Sequence, residues 1–361
     1  MKYFIISGEA SGDLYSSLLV SEIKKNDPNA VFKYLGGDKT KNILGLKPII
    51  HINDLAIMGF VEVISKLRKV LKNLSLCKKE ILLFNPDIVI LIDYPGFNLR
   101  IAKFLNKHKL KSLYYVSPQI WAWHKSRIFK IKKYINNMCV ILPFEKKFYN
   151  SYDFNVSFVG HPLLDILDSK KNSISVSKNI SFMPGSRKQE IKKILPIMLS
   201  IIKYYPDYKF YILGIHSLGE YFYKKIVKNH NIEVVFENKN NILNKSSVAL
   251  VASGTATLET AIFKIPQIVC YKTNIITYYL AKFLIKVPFI SLVNLVLRKE
   301  AVKELIQFDF NTLNLKKELD SILEKSNRDK IILDYDNLIK LLGSGGATKK
   351  TASVISDILK R

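Results

Sequence analysis

The residues best placed to do chemistry are one carboxylate, one arginine and one hydroxyl-rich turn. Asp93 follows five consecutive apolar residues, Ile88-Val89-Ile90-Leu91-Ile92, that read as a buried strand. In open α/β sheets ligands bind beyond the carboxyl ends of the strands. A carboxylate held there can act as a general base if its pKa is tuned. The same residue could instead cap the Pro95-Gly96 turn. Ser253-Gly254-Thr255-Ala256-Thr257-Leu258-Glu259 follows the apolar run Val248–Ala252 and reads as strand, turn and first helical turn. Gly254 lets the backbone approach a ligand, hydroxyls surround it, and the helix start offers unpaired N–H groups and a partial positive charge. That set suits a diphosphate, with Glu259 one turn in, where it could hold ribose hydroxyls. Taken alone, it is also a capped helix after a core strand. Arg187, after Pro184-Gly185-Ser186, sets a fixed cation at a second helix start, which is good diphosphate chemistry.

Other candidates are more ambiguous. The loop Gly8-Glu9-Ala10-Ser11-Gly12-Asp13 fits neither G-x-G-x-x-G nor the P-loop, so spacing assigns it no nucleotide. It could equally accept a sugar phosphate, and Asp13 could simply cap the following helix. Trp121 and Trp123, both tryptophans of the chain, lie near Pro118 at a loop–helix junction and suggest a binding wall for a sugar or lipid. His161 is a candidate acid or base, and otherwise a hydrogen-bonded structural histidine. Residues 54–74 read as one helix, apolar nearly all round in its first half, with Met58 and Phe60, and basic in its second. It is either a membrane-surface or acyl-chain contact or a helix buried between a sheet and a neighbour.

Two sets of parallel strands must position these groups. Strands are expected at 2–7, 31–35, 47–52, 87–92, 112–116, 138–142 and 156–159, then at 180–183, 209–213, 233–236, 248–252 and 267–271. A Ser/Lys/Asn run at 168–179 reads as the linker. The expected organisation is α/β, with doubly wound parallel-sheet domains at 1–168 and 169–340, and a last helix in 341–361 packing back on the first domain or on a partner subunit. Residues 275–297 are apolar enough to raise a transmembrane question. Lys282, Lys286 and Pro288 interrupt them, so the reading is helix, then strand, with no span.

The net charge is +26, from 56 Lys+Arg against 30 Asp+Glu, and favours an anionic partner: nucleic acid, a phospholipid surface or a phosphorylated substrate. Much of the excess is Lys that rises together with Asn and Ile, which is compositional drift. No block of five like charges marks a disordered basic tail. Residues 260–299 contain no Asp or Glu, so the surroundings of Ser253 are electropositive. Cys77, Cys139 and Cys270 have no paired spacing, which argues against a disulfide framework or zinc site and for a reducing compartment. Residues 1–6 are too short an apolar run for a signal peptide.

Two α/β domains with a phosphate-gripping second half resemble the GT-B glycosyltransferases, with Rossmann-like domains facing across a cleft. The motifs go further. Gly8-Glu9-Ala10-Ser11-Gly12-Asp13, Asp93-Tyr94-Pro95-Gly96-Phe97-Asn98, Val116-Ser117-Pro118-Gln119-Ile120-Trp121-Ala122-Trp123, Leu142-Pro143-Phe144-Glu145, Gly160-His161-Pro162, Pro184-Gly185-Ser186-Arg187 and the Ser253-to-Glu259 stretch resemble, in order, the signature blocks of lipid-A-disaccharide synthases. Met58-Gly59-Phe60-Val61-Glu62-Val63 and Ser291-Leu292-Val293-Asn294-Leu295 also look like family blocks, so the resemblance spans nearly the whole chain.

The resemblance implies transfer of 2,3-diacylglucosamine from its UDP derivative to 2,3-diacylglucosamine 1-phosphate, with inversion and without metal or cofactor. Asp93 is then the base. Gly185, Ser186, Arg187, Ser253, Gly254, Thr255, Ala256, Glu259, Asn294, Glu304 and Gln307 are the implied donor site. Ser11, Gly12, Asp13, Met58, Phe60, Glu62, Trp121 and Trp123 are the implied acceptor and lipid contacts. Implied too are a cytoplasmic enzyme held peripherally on the inner-leaflet phospholipid surface of a Gram-negative-type bacterium, a possible homodimer and no nucleic acid. Arg298-Lys299-Glu300 departs from the family's Gly-Arg-Glu, and Lys299 cannot reproduce a bidentate arginine contact. Residues 302–307 are expected as the next helix. The rivals are another UDP-N-acetylglucosamine-using GT-B enzyme, an epimerase or a peptidoglycan precursor transferase, and a non-enzymatic basic protein binding membrane or nucleic acid.

Overall fold

The structure, a computed structural model, describes the chain except residues 56–66, 124, 168–176, 229, 286 and 361, and the side chains of 67, 123 and 125. Apolar strands that alternate with helices bury both faces only as parallel sheets with helical layers on either side. Two such sheets form. The first has the order β2-β1-β3-β4-β5-β6, with β1 (Lys2–Ser7), β2 (Val31–Leu35), β3 (Ile88–Ile92), β4 (Ser112–Tyr115), β5 (Met138–Val140) and β6 (Ser157–Phe158). The second has the order β12-β11-β10-β7-β8-β9, with β7 (Asn179–Met183), β8 (Lys209–Leu213), β9 (Glu233–Val235), β10 (Val248–Ala252), β11 (Gln267–Tyr271) and β12 (Glu304–Ile306). Every pairing within them is parallel. The chain divides into two compact units, Met1–Asp165 with Gly343–Arg361, and Ile166–Leu342.

Strand order reverses once in each sheet, and this positions the candidate residues. β1 lies between β2 and β3, and β7 lies between β8 and β10. At such a point two strand-end turns diverge and open a crevice. In the first unit these are the turns after Ser7 and Ile92; in the second, those after Met183 and Ala252. β3 is wholly buried. Burying each of its side chains stabilises by roughly 1.5–3 kcal/mol, so the backbone that carries Asp93 is anchored from behind.

Several elements depart from the sequence reading. Residues 47–52 are not a strand: only a Gly36–His51 bridge forms, because Pro48 has no N–H for a ladder. The expected helix 54–74 appears as Ile52–Leu55 and Leu67–Phe84, and what lies between falls outside the described residues. The second piece runs ten residues past its expected end, because Leu74, Cys77, Ile81 and Phe84 continue one buried stripe. After the helix Ile275–Leu284 comes a second helix, Leu292–Leu297, instead of a strand. Ser291 caps it, its Oγ accepting the Asn294 N–H at 3.2 Å. Within residues 302–307, Glu304–Ile306 form β12 at the sheet edge, and no helix forms there. The last helix, Ala347–Lys360, packs on the helix Ala10–Asn26, and Asp165 accepts the N–H groups of Ala347 and Thr348 at its start.

Candidate active site

Asp93 and Tyr94 both take left-handed backbone conformations, with φ of 48° at each. Non-glycine residues there cost of order 1–3 kcal/mol apiece. Buried Asn98 compensates, its amide donating to the carbonyls of Ile92 at 3.2 Å and Asp93 at 2.8 Å. The Tyr114 hydroxyl donates to the same Asp93 carbonyl at 2.6 Å, and the Asp93 N–H donates to the Tyr115 carbonyl at 3.0 Å. The turn is therefore clamped, and it throws the chain directly into the helix Pro95–Lys107. The Asp93 side chain remains only partly exposed to solvent. Burial, reinforced by the nearby Glu9 and Glu145 carboxylates, raises its carboxyl to about 7, against the pull of the Tyr94 N–H. An aspartate that titrates near neutrality is a functional-site signature.

The neighbouring turn is shaped to fit. A Cβ on Gly8 would stand 2.3 Å from the Tyr94 ring, so only glycine passes there. Tyr94 in turn donates its hydroxyl to the Leu55 carbonyl at 2.8 Å. Gly12 packs close to Ser7 and Ile92, and Ser11 is half-buried in the first helical turn. Asp13 caps a helix, though not its own. Its buried carboxylate accepts the N–H groups of Gly37 (2.8 Å) and Lys39 (2.9 Å) and the Thr40 hydroxyl (2.7 Å), at the start of the helix Asp38–Leu44. It positions; its oxygens are already spent.

Trp121 does not form an exposed wall. It is only 7% exposed, meets Phe144 edge-on at 4.8 Å, and donates its Nε1–H to Glu145 at 3.2 Å. Glu145 is the residue that the sequence reading left without a role. Its buried carboxylate gathers the Ser117 hydroxyl at 2.6 Å and the N–H groups of Ile141 (3.2 Å) and Leu142 (2.9 Å), tying the loop after β4 to the loop after β5. Burial raises its pKa, against the pull of those donors. A glutamate three residues past a helix start, behind Pro143, was the available signal. His161 is buried, its Nδ1 accepts the Leu163 N–H at 3.2 Å, and burial lowers its pKa to about 3. That is a neutral structural histidine. Met58, Phe60 and Glu62 lie outside the described residues, as does the Trp123 side chain.

In the second unit Met183 and Val251 pair in register, so the turns after β7 and β10 are neighbours. Gly185 has φ 118° and Gly254 φ 152°, conformations that glycine alone takes easily. Glu190 braces the first turn, accepting the Ser186 N–H at 3.1 Å. Arg187 is exposed at the N-cap of the helix Lys188–Leu199. Gly254 is the N-cap of the helix Thr255–Ile262, with Thr255, Ala256 and Glu259 half-buried along it. The Ser253 hydroxyl donates to the Ile290 carbonyl at 2.9 Å, leaving its own oxygen as an acceptor.

Three expected donor contacts turn inward. Glu304 accepts the N–H groups of Ile290 (2.9 Å) and Ser291 (3.0 Å) and the Asn294 amide (2.9 Å). Asn294 is wholly buried, its Oδ1 accepting the N–H groups of Ala301 and Val302. Gln307 bonds Thr273 through both ends of its amide, at 3.0 and 3.3 Å. These residues build the wall behind Ser253 and spend their polar atoms doing so. Lys299 pairs with Asp334 at 2.5 Å.

Two doubly wound parallel sheets, each with its candidate turns at the point of strand reversal, define the GT-B class. Solved structures agree. The Neisseria meningitidis UDP-GlcNAc 2-epimerase bound to UDP-GlcNAc superposes with a TM-score of 0.70 at 15% identity, covering 100% of both chains. The calicheamicin glycosyltransferase CalG4 does so with 0.62 at 12% identity, over 100% of this chain and 98% of that one. At those identities the likeness is one of fold. Sequence decides the family: a family model described as Lipid-A-disaccharide synthetase matches residues 3–358. The lipid-A-disaccharide synthase of Syntrophus aciditrophicus is 35% identical over 99% of this chain and 97% of its own length. That of Psychromonas ingrahamii is 34% identical over 98% and 97%. The chain belongs to the lipid-A-disaccharide synthase family, a family of glycosyltransferases, and neither the epimerase nor the non-enzymatic reading is favoured.

Proposed function

We propose that the enzyme joins the sugar of UDP-2,3-diacylglucosamine to the 6-hydroxyl of 2,3-diacylglucosamine 1-phosphate, giving a β-1,6-linked disaccharide 1-phosphate and UDP. Asp93 removes the hydroxyl proton as the oxygen attacks the anomeric carbon. The bond to UDP breaks on the opposite face, its electron pair leaves on the diphosphate, and configuration inverts. A carboxyl with a pKa of about 7 is substantially ionised at neutral pH, yet holds an accepted proton far better than an ordinary aspartate. Arg187 and the N–H groups of the helix start after Gly254 take up the charge that develops on the leaving diphosphate. Gly185, Ser186, Ser253, Thr255 and Ala256 line that site, Glu259 holds ribose, and Asn294, Glu304 and Gln307 keep its wall in place. Ser11 and Gly12 present a helix start to the acceptor's phosphate beside Asp93.

The observation that carries this reading is the clamped left-handed turn at Asp93, placed at a strand-order reversal with a carboxyl tuned to neutrality. The lipid character of both substrates and a net charge of +26 suit a protein held peripherally at the cytoplasmic face of an anionic inner membrane. The test is mass spectrometry of the products formed from the two diacylglucosamine substrates. One disaccharide 1-phosphate per UDP released is the expected result; UDP without disaccharide, or an epimerised UDP-sugar, overturns it.

A further inference from the structure

The helix Ile275–Leu284 buries none of its residues, although it is among the most apolar stretches of the chain. Ile275, Ile276, Tyr279, Leu280, Phe283 and Leu284 recur at i, i+1, i+4, i+5, i+8 and i+9, which places them on one stripe. All are exposed, Ile276 to 73% and Phe283 to 85%. The helix is nonetheless well formed, since the Asn274 side chain caps it by accepting the Ile276 N–H at 3.0 Å. Tyr278 extends the surface by meeting the exposed Phe308 ring edge-on at 5.9 Å. A contiguous apolar face of this kind marks a contact site.

We infer that this helix is an interfacial anchor that lies in the surface of an anionic phospholipid bilayer. Charge complementarity favours that occupant: residues 260–299 hold no carboxylate, and Lys272 and Lys282 flank the stripe. Lysines rimming an apolar stripe with aromatic residues are the signature of a helix in the headgroup region. Ten residues reach about 15 Å, half of a bilayer core, so the helix lies on the membrane and does not cross it. No described helix is long and apolar enough to cross. A second copy of the chain fits less well, because one short helix offers a few hundred Å² at most, against about 800 Å² per partner in a stable interface. The inference deepens the proposed function by naming the surface at which lipid substrates are met, but its test requires no substrate.

The experiment is co-sedimentation of the full chain with phosphatidylcholine vesicles, with and without phosphatidylglycerol. Changing Ile276, Tyr279 and Phe283 together to Ser should weaken binding to the anionic vesicles at least about a hundredfold, with an unchanged melting curve. If that variant fails to fold, Phe283→Asp alone, at the most exposed position, should still lower binding severalfold. Lys272→Gln and Lys282→Gln should each cost roughly fivefold on anionic vesicles and little on neutral ones. Undiminished vesicle binding by the folded variants overturns the inference. So does a parent that sediments as a dimer where the triple variant is a monomer, which would assign the face to a second copy. Intact vesicle binding with a raised KM for the lipid donor would assign it to an acyl chain instead. Failure to make disaccharide while vesicle binding still depends on the helix would sink the reaction and leave the anchor standing.

Discussion

Asp93 and Gly254 both stand just past the end of a central parallel strand, at the point where strand order reverses, and they are built in opposite ways. In the proposed mechanism the reagent at Asp93 is a side chain. The protein forces two non-glycine residues into left-handed geometry and clamps them with Asn98 and Tyr114. In the proposed mechanism the reagent at Gly254 and Gly185 is the backbone. Glycines accept φ values of 152° and 118° at little cost; Gly254 opens directly into the first turn of an N–H-bearing helix start, while after Gly185 the Ser186 N–H is held by Glu190. On the proposed mechanism, one topological position would serve proton transfer in one unit and anion binding in the other. The difference lies in whether the turn residue carries a side chain and whether water is kept from it.

If that contrast is right, the anion-binding turn should be breakable without touching stability. Arg187→Ala should lower kcat/KM by about 10²–10³-fold, the usual effect of losing one donor to a developing oxyanion. Its melting temperature should hold, since the side chain is exposed. Unchanged turnover and UDP binding would remove Arg187 from the site.

The clamped turn should fail differently. Asn98→Ala removes the side-chain donor to the Ile92 carbonyl and leaves the Asp93 carbonyl with Tyr114 alone, and should cost roughly 1–3 kcal/mol of stability, with a fall in kcat. Thermal unfolding and initial rates measured on one sample check both. A variant that lost stability yet kept kcat would show that the strained turn is only structural.

A smaller effect sharpens the electrostatic half. The folded pKa of Asp93 lies near 7, above its ordinary value of 3.8, so the folded chain binds a proton there that the unfolded chain releases. This group therefore favours folding most below about pH 4 and loses that contribution as pH rises towards 7. The base must be ionised to act, so kcat/KM should rise with pH on an acid limb centred near 7. Glu9→Gln removes a neighbouring carboxylate that raises this pKa and should shift the limb to lower pH. A pH–rate profile without that limb, or one that Glu9→Gln does not move, speaks against the assignment.

The least effect is expected at Lys299. Its half-exposed pair with Asp334 is worth no more than about 1 kcal/mol. Lys299→Ala should change UDP binding by less than about twofold, measured by titration calorimetry, if the departure from the family's arginine has relieved this position of donor contact. A larger loss would return it to the site.

Strand ends were legible because an unbroken apolar run that stops at Asp93 or Ser253 gives both the element and the residue left at its tip. Glu145 was not, because its donors come from Ser117, Trp121 and the Ile141–Leu142 backbone, segments that meet only in the folded sheet. The same absence misled the reading of Trp121 as part of a binding wall, since its indole N–H is turned inward onto that carboxylate. Asp13 invited a cap of its own helix and caps the next one, again a contact across two strands. Residues 302–307 show the limit of periodicity. So short a segment carries too little pattern to separate helix from strand, and the open edge of β11 made the choice.

The most direct measurement is the initial rate of Asp93→Asn with both lipid substrates, taken alongside melting curves at pH 5 and pH 8. Asparagine keeps the shape of the turn and removes the base. Turnover should fall by roughly a hundredfold or more, UDP binding should hold, and the variant should melt no lower than the parent at pH 8, where it sheds an enclosed charge. A variant that retains most of its activity would contradict the account and leave Asp93 as no more than the residue that shapes the turn.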